Sequence, residues 1–163
     1  MSGEEIELMW KGVCEWTLKA PIEKVWDFIG DFMGVGNWGT TVLESCTLVE
    51  GLPQEIGCVH LCLGRPKSDQ NGFQFKIFEK LLELDSSNHL IGYVVIKSNI
   101  PIFLGVFPTI QLFQLSDSTS TTRIVFNFKR DASDEFNQET FIHTMQTLYA
   151  VVVQDLLTAL GNS

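Results

Sequence analysis

The sequence predicts an α+β fold in which an antiparallel sheet carries one principal helix packed across it. Three observations predict it. Apolar and polar residues alternate in a series of separate stretches before Arg130, as side chains do on a pleated backbone. From about Asp134 the period becomes that of a helix and holds to Leu160. The resulting order is one strand, two short helices, six strands and one long helix, with no internal repeat or interdomain linker.

Trp10 to Leu18 reads as the first strand, with Trp10, Cys14, Trp16 and Leu18 in one phase. Pro21 opens a short helix from Ile22 to Ile29, since proline suits a first turn, and Gly30 and Asp31 close it. Asp31-Phe32 begins a second short turn. Gly34-Val35-Gly36-Asn37-Trp38-Gly39 matches the G-x-G-x-x-G dinucleotide fingerprint, but that motif needs a strand before it and a helix after it. Here a helix precedes and a strand follows, so the glycines are expected to form a flexible connection. Strands follow over Thr41 to Val49, Gly57 to Leu63, Phe73 to Asp85 and His89 to Lys97, separated by polar turns. The apolar run Ile100 to Pro108 contains prolines that forbid a central strand, so a loop over an apolar surface is expected. Thr109 to Leu115 and Thr122 to Arg130 pair as a hairpin across the polar run Ser116 to Thr121. In the final helix Phe141, Met145, Leu148, Tyr149, Val152, Val153, Leu156 and Leu160 share one broad face, while His143 belongs to the polar side.

At 163 residues the chain reads as a single domain, 1–163, long enough to bury a sizeable core. A net charge of -9 and the lack of any basic run argue against nucleic acid or an anionic membrane surface as partner. No apolar run approaches the ~20 residues that span a bilayer, and the acidic start lacks the basic and apolar regions of a signal peptide. Cys14, Cys46, Cys58 and Cys62 therefore read as reduced thiols in a cytosolic chain. Cys58 and Cys62, roughly 13 Å apart on one strand, stand too far from each other to bridge.

Serine-hydrolase, zincin, P-loop and paired C-x-x-C motifs do not occur, and His60, His89 and His143 show no metal-ligand spacing with one another, so no metal and no cofactor is expected. One constellation remains. In Phe73 to Asp85, Phe73, Phe75, Ile77 and Leu81 share an apolar face, and parity places Glu79 among them. An unpaired carboxylate there is costly. On the preceding strand Cys58, His60 and Cys62 share a face. If the loop Gly64 to Gly72 closes a symmetric hairpin, residues whose numbers sum to about 139 face each other. His60 then meets Glu79, Cys62 meets Ile77 and Cys58 meets Leu81. An imidazole and a carboxylate so placed can share a proton and serve general acid-base chemistry. The competing reading is a buried pair that only fixes strand register.

Ala20 to Phe32, Trp38, Leu48-Val49-Glu50-Gly51, Gly57-Cys58-Val59 and Glu79 to Asp85 together resemble plant lachrymatory factor synthase and its relatives. Those proteins belong to the polyketide cyclase/dehydrase and lipid transport superfamily, with the START-like helix-grip fold of the birch pollen allergen. The resemblance spans nearly the whole chain. It implies a curved antiparallel sheet wrapped around the long C-terminal helix, with two short helices and an internal ligand cavity. In the synthase pattern an arginine follows Gly-Cys-Val and a glutamate precedes the next Lys-Leu, and the two act on a small sulfenic acid. Glu79 matches the glutamate, but His60 stands in place of the arginine. A tyrosine of that pattern falls near Gly105 or Val106, where no hydroxyl exists. A permanently charged guanidinium has thus become a titratable imidazole. Resemblance to abscisic acid receptors fails on two points. Glu44 stands at their carboxylate-binding lysine, and Gly51-Leu52-Pro53 precedes the Gly-Cys-Val strand instead of following it.

The expected catalytic residues are therefore Glu79 and His60. Cys58, Cys62, Phe75, Ile77, Tyr93, Phe126, Phe141, Met145 and Tyr149 are the expected ligand-binding wall, with the segment Pro101 to Pro108 over the mouth. The expected ligand is a small apolar or weakly polar metabolite. A cofactor-independent isomerase, lyase or cyclase of plant specialised metabolism is one reading. A non-catalytic carrier for an apolar metabolite or lipid is the other. Glu79 separates them, because a carrier has little need of a carboxylate on an apolar wall.

Overall fold

A computed structural model describes residues 9–66, 68–117 and 119–161. The expectation about the acidic start falls on residues 1–8, outside the described residues. The strands are β1 (Met9–Leu18), β2 (Leu43–Glu50), β3 (Val59–Gly64), β4 (Lys76–Asp85), β5 (Leu90–Ser98), β6 (Phe107–Gln114) and β7 (Thr122–Asp131), and burial alternates most regularly along β1 and β6. They form one antiparallel sheet in the order β1-β7-β6-β5-β4-β3-β2. From β2 onward each strand pairs with the next, so short turns suffice. The first connection must instead carry the chain from one sheet edge to the other. It does so through α1 (Ile22–Ile29), a 3-10 turn (Phe32–Gly34) and α2 (Val35–Trp38).

Long helix α3 (Gln138–Gly161) lies in the concave side of the sheet, the helix-grip arrangement. Asn137 starts it: its side-chain oxygen accepts from Thr140 N at 2.8 Å and its carbonyl accepts from Phe141 N. That cap places the first turn a few residues later than the change of period alone suggests. The buried stripe Phe141, Met145, Tyr149, Val153 and Leu156 faces the sheet. Tyr149 stacks on Phe126 with ring centroids 4.4 Å apart, and Phe141 meets Phe128 edge-on at 5.7 Å. Such aromatic pairs add to the burial of their large surfaces.

Four register shifts bend the β2–β5 half of the sheet, two in the β2–β3 pairing and two in the β4–β5 pairing. An extra residue in one strand of a pair increases local twist and re-aims its neighbours. One shift lies between Phe78 and Glu79.

Three local expectations need correction. Strand β4 begins at Lys76, not Phe73, because Asn71 (φ 57°) and Gly72 (φ 73°) turn the backbone left-handed, and Phe73 is left exposed. Gly34 to Gly39 is not a flexible connection. Asp31 accepts from Gly34 N through its side chain at 3.1 Å, and a helical turn follows. Pro108 lies inside β6, beyond the stretch Thr109–Gln111 through which β6 pairs with β5, where a strand tolerates proline.

Candidate functional site

The register expected from the hairpin sum is the one observed: His60 lies opposite Glu79 and Cys62 opposite Ile77. Equal parity sends both side chains of the first pair inward. His60 is wholly buried, and its Nε2 lies 2.7 Å from Glu79 Oε1. One proton lies between them, donated either by the ring N–H to the carboxylate or by the carboxylic acid to the ring nitrogen. Phe32 stacks on the imidazole, ring centroids 3.9 Å apart and nearly parallel, and fixes its plane. The glutamate side chain retains 16% of its exposure, so it reaches open space while its partner does not.

That space is an apolar cavity of about 130 Å³ between sheet and helix. Eight of the residues expected at the site face it: Glu79, His60, Cys62, Phe75, Ile77, Tyr93, Phe126 and Tyr149. The other three are in packed core. Cys58 precedes β3 and is buried beyond the bend, while Phe141 and Met145 sit where α3 closes directly onto the sheet. The lining also differs from expectation. Phe28, Phe32, Val35 and Trp38 of the first connection line the cavity, whereas no residue of the Pro101 to Pro108 segment does. An edge-to-edge connection must cross the open side of the grip, a constraint set by topology and invisible to local hydropathy. Thr41 pins this cover to α3, its N–H and hydroxyl both donating to the Asp155 carboxylate.

Sequence reasoning missed Cys46. It stands directly opposite Cys62, with sulfur atoms 2.8 Å apart, and all four cysteines are free. A symmetric hairpin centred near Gln54 would have paired them. Cys62 Sγ in turn donates to Glu79 Oε1 at 3.7 Å. The contact with Cys46, then burial, then the Glu79 charge hold the Cys62 thiol far above its ordinary range, so it stays protonated. Cys46, His60 and Cys62 offer three donor atoms within 4.8 Å of one another. Two sulfurs on one tetrahedral zinc stand about 3.7 Å apart. These would have to part before the trio could close on an ion.

Tyr93 and Tyr149 are both held well above the ordinary phenol range, by burial first and the nearby Glu79 charge second. Both therefore remain hydroxyl donors at any ordinary pH. Four buried side-chain polar atoms among the described residues lack a hydrogen-bond partner, and three belong to this cavity's wall: Trp38 Nε1, His60 Nδ1 and the Tyr149 hydroxyl. A carboxylate sharing a proton with an imidazole, on a mostly apolar wall with spare polar atoms, can bind a small molecule and move a proton on it.

A family model for polyketide cyclase/dehydrase and lipid transport matches residues 9–161. No curated protein sequence matches the chain. Among solved structures it is similar to ginseng major latex-like protein 151 from Panax ginseng, at 14% identity over 93% of this chain and 97% of that one, TM-score 0.75. It is also similar to XoxI from Bacillus cereus, at 18% identity over 93% and 95%, TM-score 0.74. A protein from Nitrosospira multiformis shares 21% identity over 91% and 94%, TM-score 0.72. These likenesses show the helix-grip fold.

Proposed function

This chain belongs to the polyketide cyclase/dehydrase and lipid transport family, and we propose that within it the chain is a small-molecule enzyme working by acid-base catalysis in its internal cavity. The observation that carries the proposal is the His60–Glu79 couple, 2.7 Å apart, one partner buried and the other reaching the cavity. Glu79 exchanges the proton with the substrate. His60, clamped by Phe32, holds the carboxylate in place and takes the second proton position. A bond rearrangement driven by moving one proton fits an isomerase, lyase or cyclase. The resemblance over Ala20 to Phe32 and Glu79 to Asp85 supports a place in plant specialised metabolism, and the free thiols suit the cytosol.

The carrier reading keeps one observation in its favour, the apolar lining of the cavity. It gives no role to a buried imidazole–carboxylate pair beside that lining.

Glu79→Gln separates the two. The amide keeps the size and a hydrogen bond to His60 but cannot exchange a proton near neutral pH. On the compounds that co-purify with the protein, turnover by Glu79→Gln is expected to fall ~10²-fold or more with binding nearly unchanged. Unchanged turnover would remove Glu79 from the mechanism; no conversion by wild type, with affinity altered in the variant, would make the protein a carrier.

A further inference from the structure

Beside the His60–Glu79 couple stand two thiols that the proposed chemistry leaves unused. Cys46 and Cys62 face each other directly across β2 and β3, both free, with sulfur atoms 2.8 Å apart. Directly opposed residues of an antiparallel pair have Cα atoms about 4.5–5.5 Å apart, inside the span a disulfide requires. A disulfide bond is about 2.05 Å long, so these sulfurs need to approach by less than ~1 Å, whereas a tetrahedral zinc needs them to part by about as much. The geometry favours the bond over the ion. Neither remaining cysteine competes: Cys14 lies on β1 at the opposite edge of the sheet, and Cys58 is buried below the start of β3.

The two thiols differ in access. Cys62 is 3% exposed, and its Sγ donates to Glu79 Oε1 at 3.7 Å. Cys46 is half-buried on the edge strand β2 beneath α2, where a Cβ added to Gly36 would stand 3.4 Å from its Sγ. A bulky oxidant is kept from that sulfur, and a small one is not.

We propose that Cys46 and Cys62 form a redox modification site, closed to a reversible disulfide by a small hydroperoxide. The Cys46 sulfur attacks the terminal peroxide oxygen. An S–O bond forms, the O–O bond breaks, and the leaving alkoxide (hydroxide from hydrogen peroxide) departs with the Cys46 proton. Cys62 then attacks the sulfenic sulfur of Cys46. The S–S bond forms, the S–O bond breaks, and the leaving hydroxide becomes water with the Cys62 proton, relayed through Glu79. Two thiols lose two electrons together, and one hydroperoxide gains them. Closure also removes the S–H that Cys62 donates to Glu79, which alters the cavity wall at the proton-sharing couple. The relay rests on the acid-base reading of Glu79, whereas the disulfide does not.

The test treats folded wild type with hydrogen peroxide, alkylates it with N-ethylmaleimide in denaturant and maps the peptides. The expected product is a linked Cys46–Cys62 peptide with Cys14 and Cys58 alkylated, and dithiothreitol should return both thiols. The oxidised protein should melt about 5–10 °C higher, because the bond closes a short loop without moving the strands. Cys62→Ser should instead gather added oxygen at Cys46, and Cys46→Ser should leave Cys62 unoxidised at the same dose. In Glu79→Gln the sulfenic acid should persist, so the share of Cys46 driven on to irreversible sulfinic acid should rise ~10-fold or more. Four alkylated thiols after peroxide, linkage through Cys14 or Cys58, a lower melting temperature on oxidation, or oxygen gathering at Cys62 in Cys46→Ser each overturns the site. A disulfide that forms in wild type with no rise in sulfinic acid in Glu79→Gln overturns the relay alone.

Discussion

The two ends of α3 meet the same sheet in different ways. Near its start Phe141 is sealed against Trp10 and Phe128, Met145 is buried a turn later, and the packing is solid. Two turns further on, Leu148, Tyr149 and Val152 look into the cavity. The helix stripe is equally apolar at both ends, so the difference comes from the sheet. Strands β1 and β7 pair residue for residue from Met9↔Asp131 to Leu18↔Thr122 without a shift. The β2–β5 half carries all four of the register shifts noted above, and most of the strand residues that line the cavity belong to it. A void in this fold is thus made by irregular strand pairing, not by a gap in the hydrophobic pattern.

The largest effect expected from this contrast is on stability. Phe141→Ala removes a wholly buried ring from close-packed surroundings and should cost about 3–5 kcal/mol. Val152→Ala faces space that is already empty and should cost under about 1 kcal/mol, since few contacts are lost there. Urea unfolding of the two variants measures both. Similar losses would break the contrast and mean that the cavity end is packed in solution.

A smaller effect should appear at the cover. Asp155→Ala frees the Thr41 N–H and hydroxyl and costs about 1 kcal/mol, the worth of partly exposed hydrogen bonds. Its mark is local. Amide exchange over Thr41 and Val42 should speed by about fivefold, the factor that 1 kcal/mol implies, while amides of β1 and β7 keep their rates. Uniform acceleration along the chain would show that the contact supports the whole fold and not the mouth.

The fold was legible because period two and period 3.6 are written in the order of residues, and short turns between strands leave little topological choice. Glu79 and His60 were legible for the same reason. A carboxylate in the apolar phase of one strand and a histidine at the mirror position of the next need only a symmetric hairpin to meet. Trp38 was not read as part of the cavity wall. It lies in a glycine-rich stretch whose helical turn depends on a single Asp31 side chain, and nothing local says that this turn crosses the mouth. Cys46 sits across a bend from Cys62, where two register shifts blur the pairing. Phe141 and Met145 carry the same pattern as Tyr149, so periodicity on the helix cannot divide core from cavity.

The smallest expected effect is alkaline. Burial pushes the Cys14 thiol, on β1 opposite Phe126, from 9.0 up to about 11. Burial first, then the charges of Glu79 and Cys14, raise the Tyr149 phenol, at the cavity end, well above 10.0. For each group the unfolded chain releases its proton at a lower pH than the folded chain. Folding therefore gains from these groups fully below their unfolded values, and the gain is lost as pH rises toward the folded ones. Stability should fall with pH from about 9 in wild type. Cys14→Ala should flatten the curve between pH 9 and about 11, and Tyr149→Phe should flatten it only above about pH 10. Urea unfolding at pH 8, 9, 10 and 11 reads both windows. If Tyr149→Phe leaves the upper window unchanged, the phenol is already hydrated in the cavity, and its missing partner is water instead of a ligand.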